Sequence, residues 1–234
     1  MRIIEIFHSR QGEGIWTGTD SVFVRVFGCP LRCRFCDTAY TQDGMDATNS
    51  IDMTLDEIIG RVTIFNCEHV VLTGGEPMLA DDVVHLTRRL KERNHVLTIE
   101  TAGIADADAV CDLMSVCPKL SNSTPKKAGT SKTDHESRRH RPDIVAHLVK
   151  RYNYQIKFVV DTQADLPEIE SYLSDLRQSF HVETEPDKIV LMPQAVTAEG
   201  VRQKETWLEE YCGQRHYYYS PRMQILWYGN KRKT

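Results

Sequence analysis

Six short stretches, 3–7, 21–27, 69–73, 96–100, 154–160 and 188–192, are dense in β-branched and aromatic residues and read as strands. Helical spacing takes over between several of them. Thr54 stands three residues before Glu57 in a capping-box pattern, and Leu55, Ile58 and Ile59 share one face, which predicts a helix over 54–62. Val83, Leu86 and Leu90 recur at i, i+3 and i+7 within 80–93, with Asp81 and Asp82 suited to the helix start and Asn94 to its end. Further helices are predicted over 105–116, 143–151, 167–178 and 199–211. Strands alternating with helices imply right-handed βαβ units and a mainly parallel sheet, either open or curled into a partial barrel. In both forms ligands gather at the carboxyl ends of the strands.

The chain has 234 residues, a size at which one compact body buries roughly 70% of the unfolded surface, so a single domain over 1–234 is expected. No apolar run is long enough for a membrane span, and the apolar start, Ile3-Ile4-Glu5-Ile6-Phe7, meets polar residues too soon for a signal peptide. A cytoplasmic protein follows. The net charge of -4 gives no electrostatic reason to expect nucleic acid or membrane as the main partner. One stretch runs against that balance: 125–142 sets Lys126, Lys127, Lys132, Arg138, Arg139 and Arg141 against Asp134 and Glu136, with little apolar content. It reads as a long basic loop, either a solvated excursion or a contact for an anion.

Seven cysteines are present, and three fall in Gly28-Cys29-Pro30-Leu31-Arg32-Cys33-Arg34-Phe35-Cys36-Asp37-Thr38, directly after a predicted strand. Thiolates spaced C-x3-C-x2-C can wrap one small polynuclear centre, while a structural zinc site needs a fourth ligand, which His8 or His69 would have to supply from a distance. Cys67, Cys111, Cys117 and Cys212 lie on segments where buried, inert thiols are the commoner outcome. A second motif, Thr73-Gly74-Gly75-Glu76-Pro77, follows the apolar run Val70-Val71-Leu72, and paired glycines there let backbone approach a ligand.

The cysteine spacing and the Gly-Gly-Glu-Pro motif together resemble the radical S-adenosylmethionine (SAM) superfamily. That resemblance implies a partial (β/α) barrel of the radical SAM type, an α/β fold with a 4Fe-4S cluster held by Cys29, Cys33 and Cys36 at the carboxyl-terminal strand ends, and SAM chelated at the open iron. The flanking residues narrow it further: Glu5-Ile6-Phe7, Arg10-Gln11-Gly12-Glu13-Gly14, Phe23-Val24-Arg25-Val26-Phe27, Cys36-Asp37-Thr38, Met192-Pro193-Gln194 and Ser220-Pro221-Arg222 follow the order found in the 7-carboxy-7-deazaguanine synthase family. Members convert 6-carboxytetrahydropterin to the deazapurine with loss of ammonia, in queuosine-type biosynthesis.

Carried over by position, the family pattern implies a substrate site of Arg10, Gln11, Gly12, Glu13, Arg25 and Thr73, with Arg25 on the substrate carboxylate. For SAM it implies Phe35, Cys36, Asp37, Gly75, Ser121, Ser123, Met192, Pro193 and Gln194. Ser121 and Ser123 are matched to a Ser-Pro-Lys segment of relatives, from which this chain departs at Ser121-Asn122-Ser123-Thr124-Pro125-Lys126. Thr38 corresponds to a residue that helps hold Mg2+ against the substrate. The resemblance also implies a homodimer and an electron donor such as flavodoxin. Taken singly, Arg25 also suits a structural ion pair, Glu13 a turn, Phe35 packing and Thr38 a cap. Two other functions share some of these features: an activase for a glycyl radical protein, and a zinc- or nucleic-acid-binding module whose footprint would be the basic loop and the Lys231-Arg232-Lys233 tail.

Overall fold

The computed structural model describes residues 1–43, 50–127 and 129–233. In chain order the strands are β1 (Arg2–Arg10), β2 (Asp20–Val26), β3 (Ile51–Asp52), β4 (His69–Gly74), β5 (Val96–Thr101), β6 (Leu113–Val116), β7 (Tyr154–Val160), β8 (Ile189–Pro193) and β9 (Tyr218–Tyr219). The helices are α1 (Leu55–Ile64), α2 (Val83–Lys91), α3 (Thr130–Arg139), α4 (Pro142–Arg151), α5 (Leu166–Phe180), α6 (Ala198–Arg215) and α7 (Met223–Tyr228). The strands form one sheet in the order β3-β1-β2-β4-β5-β6-β7-β8-β9, antiparallel at β1 and parallel from β2 onward. Each parallel strand adds on the same side of its predecessor, so right-handed crossovers stack the helices on one face and leave the other to curl round a lumen. This is the partial barrel implied by the resemblance.

Strand alternation separates the two faces. Val22, Val24, Val70, Leu72, Leu97, Ile99, Ile156 and Phe158 are fully buried against Ile58, Val62, Leu86, Leu90 and Leu176 of the helices. Several intervening positions are polar: Arg25 lies beside Thr73, Glu100 beside Ser115, and Ser115 beside Gln155. The β1–β2 hairpin closes the far end of this lumen. Arg10 pairs with Asp20, and Ser21 with His69 at the start of β4, so the hairpin loop sits at the amino ends of the parallel strands. It tucks inward, with the Ile15 amide donating to Gln155 Oε1 at 2.9 Å and the Gly14 amide to Ser220 Oγ at 2.7 Å.

Two expected elements are different. The helix expected over 105–116 is an extended segment followed by β6; Ala105 and Ala109 are buried along it, and the Tyr152 hydroxyl donates to Ala109 O at 2.8 Å. A short apolar run buried on both faces has the same composition whether strand or helix, and here the gap between β5 and β7 selects strand. The basic stretch 125–142, expected as a loop, contains α3; Ala128 lies outside the described residues. What anchors α3 is polar. His135 is fully buried, its Nδ1 accepts from the Arg32 amide at 3.1 Å, and its Nε2 faces Ser123 Oγ at 2.9 Å. An apolar-periodicity search is blind to such an anchor. Among the described residues no helix is long and apolar enough to cross a membrane.

At the amino end of the sheet the buried His69 ring lies 2.7 Å from Ser21 Oγ and 2.9 Å from Thr98 Oγ1, with Trp16 edge-on at 5.0 Å. Burial lowers its pKa from 6.5 to about 4. The unfolded chain therefore binds the proton more tightly, and stability falls as pH drops from 6.5 toward about 4. His69→Gln should remove about 2 kcal/mol from the stability difference between about pH 7.5 and about pH 5, at roughly 1.4 kcal/mol per pKa unit. Urea unfolding at the two pH values checks this; an unchanged difference would assign the proton uptake elsewhere.

Candidate active site

A cavity of about 440 Å³ occupies the lumen between the hairpin loop and the cysteine loop that follows β2. Its wall takes in Cys29, Cys33 and Cys36 together with Phe35, Asp37, Thr38 and Gly75. Arg10, Gln11, Gly12, Glu13, Arg25 and Thr73 also line it, as do Met192 and Gln194. Most of the residues expected for the two ligands thus share one space.

The cysteine loop is fixed by backbone contacts. The Gly28 amide donates to Thr41 O at 2.8 Å, the Asp43 amide to Cys29 O at 3.0 Å, and the Arg34 amide to Ser123 O at 2.8 Å. Arg32 adds Nη1 donations to Cys29 O and Leu31 O at 2.8 and 2.9 Å. Against this loop lies the Gly74-Gly75 turn, with the Gly75 amide donating to Val26 O at 3.0 Å and the Glu76 amide to Gly28 O at 2.7 Å. A Cβ on Gly75 would meet Gly28 O at 2.0 Å, and one on Gly74, at φ +128°, would meet Val26 N at 2.4 Å. Only glycine lets the two loops touch. Glu76 is buried and committed to the scaffold: its carboxylate accepts from Thr101 Oγ1 at 2.6 Å, the Ala102 amide at 2.8 Å and the Met78 amide at 3.1 Å.

Burial pushes the Cys29 thiol up to about 12 and the Cys33 thiol up to about 11. Left bare they stay protonated at neutral pH, and a metal centre is what would ionise them. Among the described residues no three His, Cys, Asp or Glu side chains converge as a single ion would require, whereas a polynuclear cluster takes one thiolate per iron.

Deeper in the cavity the charges are paired. Lys157 Nζ donates to Glu13 Oε2 at 2.8 Å and to Glu100 Oε2 at 2.9 Å. Burial opposes the charge on each, but Glu100 and Glu13 hold the Lys157 ammonium above its usual range, and Lys157 and Arg222 hold Glu13 below the carboxylate range. Arg222 donates from Nε to Glu13 Oε1 at 3.2 Å and from Nη2 to Asp37. Arg25 donates from Nε to Glu5 Oε1 at 2.8 Å, and Glu5 takes Arg232 Nε on its other oxygen at 2.7 Å. The structural ion pair weighed for Arg25 is therefore real, and Arg25 also lines the cavity, where its terminal nitrogens remain for a ligand.

Three expected positions lie elsewhere. Ser121 is on the outer surface, bonded to Glu168 through its amide at 2.9 Å and through its hydroxyl. Ser123 is buried, its hydroxyl donating to Leu120 O at 2.6 Å, and Pro193 is buried in β8 beside Val160; none of the three lines the cavity. The strand end that does reach it is Cys117-Pro118-Lys119 after β6, where Cys117 and Lys119 line the cavity. Cys117 is buried, as expected, and also lines the cavity. Lys119 Nζ donates to Cys117 O at 2.8 Å. Glu5, Glu100, Lys157 and Arg222 also went unrecognised; the alternation in Thr98-Ile99-Glu100 and Gln155-Ile156-Lys157, with charges opposite full-burial positions, was the available signal. The Lys231-Arg232-Lys233 tail lines the cavity rim, with Arg232 stacked 4.4 Å from the Tyr40 ring.

The radical SAM superfamily model matches residues 23–120, the span from β2 to just beyond β6. The 7-carboxy-7-deazaguanine synthase of Rhodopirellula baltica is 41% identical over 99% of this chain and 88% of its own length. That of Halobacterium salinarum is 40% identical over 96% of this chain and 90% of its own. The crystal structure of QueE from Escherichia coli superposes with a TM-score of 0.67 at 24% identity, covering 94% of this chain and 92% of that one, which shows a shared fold. With its cysteines, glycine turn and polar lumen in one cavity, and with this identity along nearly its whole length, the chain belongs to the 7-carboxy-7-deazaguanine synthase family of the radical SAM superfamily.

Proposed function

We propose that this enzyme converts 6-carboxy-5,6,7,8-tetrahydropterin to 7-carboxy-7-deazaguanine with loss of ammonia, using a 4Fe-4S cluster and SAM. The observation that carries this is the single cavity in which the three cysteines and the Gly74-Gly75 turn face Arg10–Glu13 and Arg25 across the lumen. Three half-buried thiols on one loop, all lining the same cavity, suit a cluster with one iron left for SAM. When bound, the cluster and SAM would supply the radical chemistry that the rearrangement of the substrate requires.

The chain's own residues bind and orient. Cys29, Cys33 and Cys36 hold the cluster; Phe35, Cys36, Asp37, Gly75, Met192 and Gln194 surround SAM, joined by Cys117 and Lys119 in place of Ser121 and Ser123. Arg25 receives the substrate carboxylate on its terminal nitrogens while Glu5 holds its Nε, so the fork is aimed before the ligand arrives. Gln11, Gly12 and Glu13 meet the pterin's hydrogen-bonding edge, with Thr73 alongside. Thr38 takes part in holding Mg2+ against the substrate: its carbonyl accepts from the Thr41 amide at 2.8 Å, which leaves the hydroxyl, 3.7 Å from Cys36 Sγ, on the cavity side. Residues 1–234 act as one radical SAM domain, as a homodimer supplied with electrons by a flavodoxin-type donor; the continuous sheet from β3 to β9 supports the first of these.

Anaerobic enzyme given SAM, a low-potential reductant and 6-carboxytetrahydropterin should release the deazapurine carboxylate, detected by mass. Formation of 5'-deoxyadenosine with no pterin consumed would remove this substrate. Arg25→Gln should raise the pterin KM by about tenfold to a hundredfold, the range for losing a charge-assisted hydrogen bond, while reductive SAM cleavage without pterin persists. Gly75→Ala forces its Cβ onto Gly28 O and should cut iron and sulfide after reconstitution by about tenfold with circular dichroism unchanged. Wild-type loading would contradict the contact between the turn and the cysteine loop.

A further inference from the structure

Arg222 follows β9, is 6% exposed, and bonds three separate segments with its three guanidinium nitrogens. Nη2 donates to the Asp37 carboxylate, next to Cys36 in the cysteine loop. Nη1 donates at 2.7 Å to Ala195 O, just beyond Met192-Pro193-Gln194. Nε donates at 3.2 Å to Glu13 Oε1 in the hairpin loop, where Gln224 Nε2 also donates at 2.6 Å. The first two segments stand at the carboxyl ends of the strands, and the third enters from their amino ends. On the functional assignment above, the first two carry the SAM half of the cavity and the third carries the pterin half.

We propose that Arg222 is a positioning residue that couples the two halves, so that ordering of the cysteine loop and the 192–195 turn around SAM also orders the Glu13 loop for the pterin, and the reverse. Arginine suits this task because a planar fork with five fixed donors can reach three acceptors in different directions at once; a lysine ammonium is a point charge that cannot hold all three in register. Glu13 is an effective receiving end because Lys157 locks its other oxygen to Glu100 on β5. A shift at Asp37 is thereby transmitted to the wall that the substrate touches. Linkage makes the coupling reciprocal: each ligand raises the affinity of the other by the same factor.

The test uses anaerobic, cluster-loaded enzyme and measures the SAM dissociation constant by calorimetry with and without saturating 6-carboxytetrahydropterin. In the wild type the pterin should tighten SAM by about tenfold, within the usual range for coupled sites. In Arg222→Lys the factor should fall below about twofold, and Asp37→Asn, which removes one acceptor at a half-exposed side chain, should lower it similarly while adding little to Arg222→Lys in the double variant. A merely structural arginine would weaken both ligands in parallel and lower Tm while leaving the factor intact; that result overturns the proposal, as does a wild type with no factor to lose. Should Arg222→Lys not fold, Asp37→Asn alone decides, an intact factor in it again overturning the proposal. Wild-type enzyme that neither binds nor consumes the pterin defeats the functional assignment, and the proposal with it; turnover with the factor surviving in both variants defeats the coupling alone.

Discussion

The ion pairs of Lys157 with Glu13 and Glu100 are what the lumen is built around. They join the hairpin loop at one end of the barrel to β5 and β7 in its wall, across a region from which water is largely excluded. Removing three charges from water costs more than their mutual attraction reliably returns, so such a network is poor evidence of stability, and well-packed apolar residues would serve the fold at least as well. What apolar residues would not do is leave a polar cavity with fixed dipoles inside it. The charges hold the hairpin loop in one position, and Arg222 and Gln224 extend that register to the cysteine loop and to α7. Lys157 and Glu13 each bridge two partners of opposite charge, which ties the parts together.

The sheet makes this arrangement possible through strand alternation. Val24, Leu72, Ile99 and Ile156 pack under the helices, while Arg25, Thr73, Glu100 and Gln155, each one residue away, face the lumen. A one-residue slip in any strand would send a charge into the core and a branched aliphatic into the cavity, so one pattern specifies both core and site. The glycines at 74 and 75 add the other constraint: they let the β4 turn press on the Gly28–Cys29 backbone, which binds the cysteine loop to the end of β5 through Glu76 and Thr101.

Much of this was legible in the sequence because it rests on local features. The cysteine spacing, the glycine pair, the capping box at Thr54 and the six strands each need only a few neighbouring residues, and all of those elements formed where the pattern put them. Legibility failed where the deciding contact is distant. Segment 105–116 is a strand because β5 and β7 flank it, and α3 docks through His135 and not through an apolar face. Ser121 and Ser123 were matched to a Ser-Pro-Lys segment on sequence alone, and neither lines the cavity, whereas Cys117 and Lys119 beyond β6 do. Arg25 illustrates a subtler case: its partner Glu5 lies directly opposite on the neighbouring strand, and only pairing of β1 with β2 turns two separate residues into an aimed fork.

Net charge says nothing of the cavity. The chain carries -4 overall, yet the cavity is lined by eight lysine and arginine side chains against four carboxylates. Fields inside a cleft with low-dielectric walls are set by the nearest charges, so this space attracts anions although the molecule as a whole is acidic. The same fact reassigns the Lys231-Arg232-Lys233 tail. On an open surface it would read as a footprint for nucleic acid; folded onto Glu5 and Tyr40 at the rim, it adds to the positive field around Arg25 and favours a ligand that brings a carboxylate. Composition averages over the chain, whereas recognition depends on which charges the fold gathers, and here the fold gathers cations around one cavity.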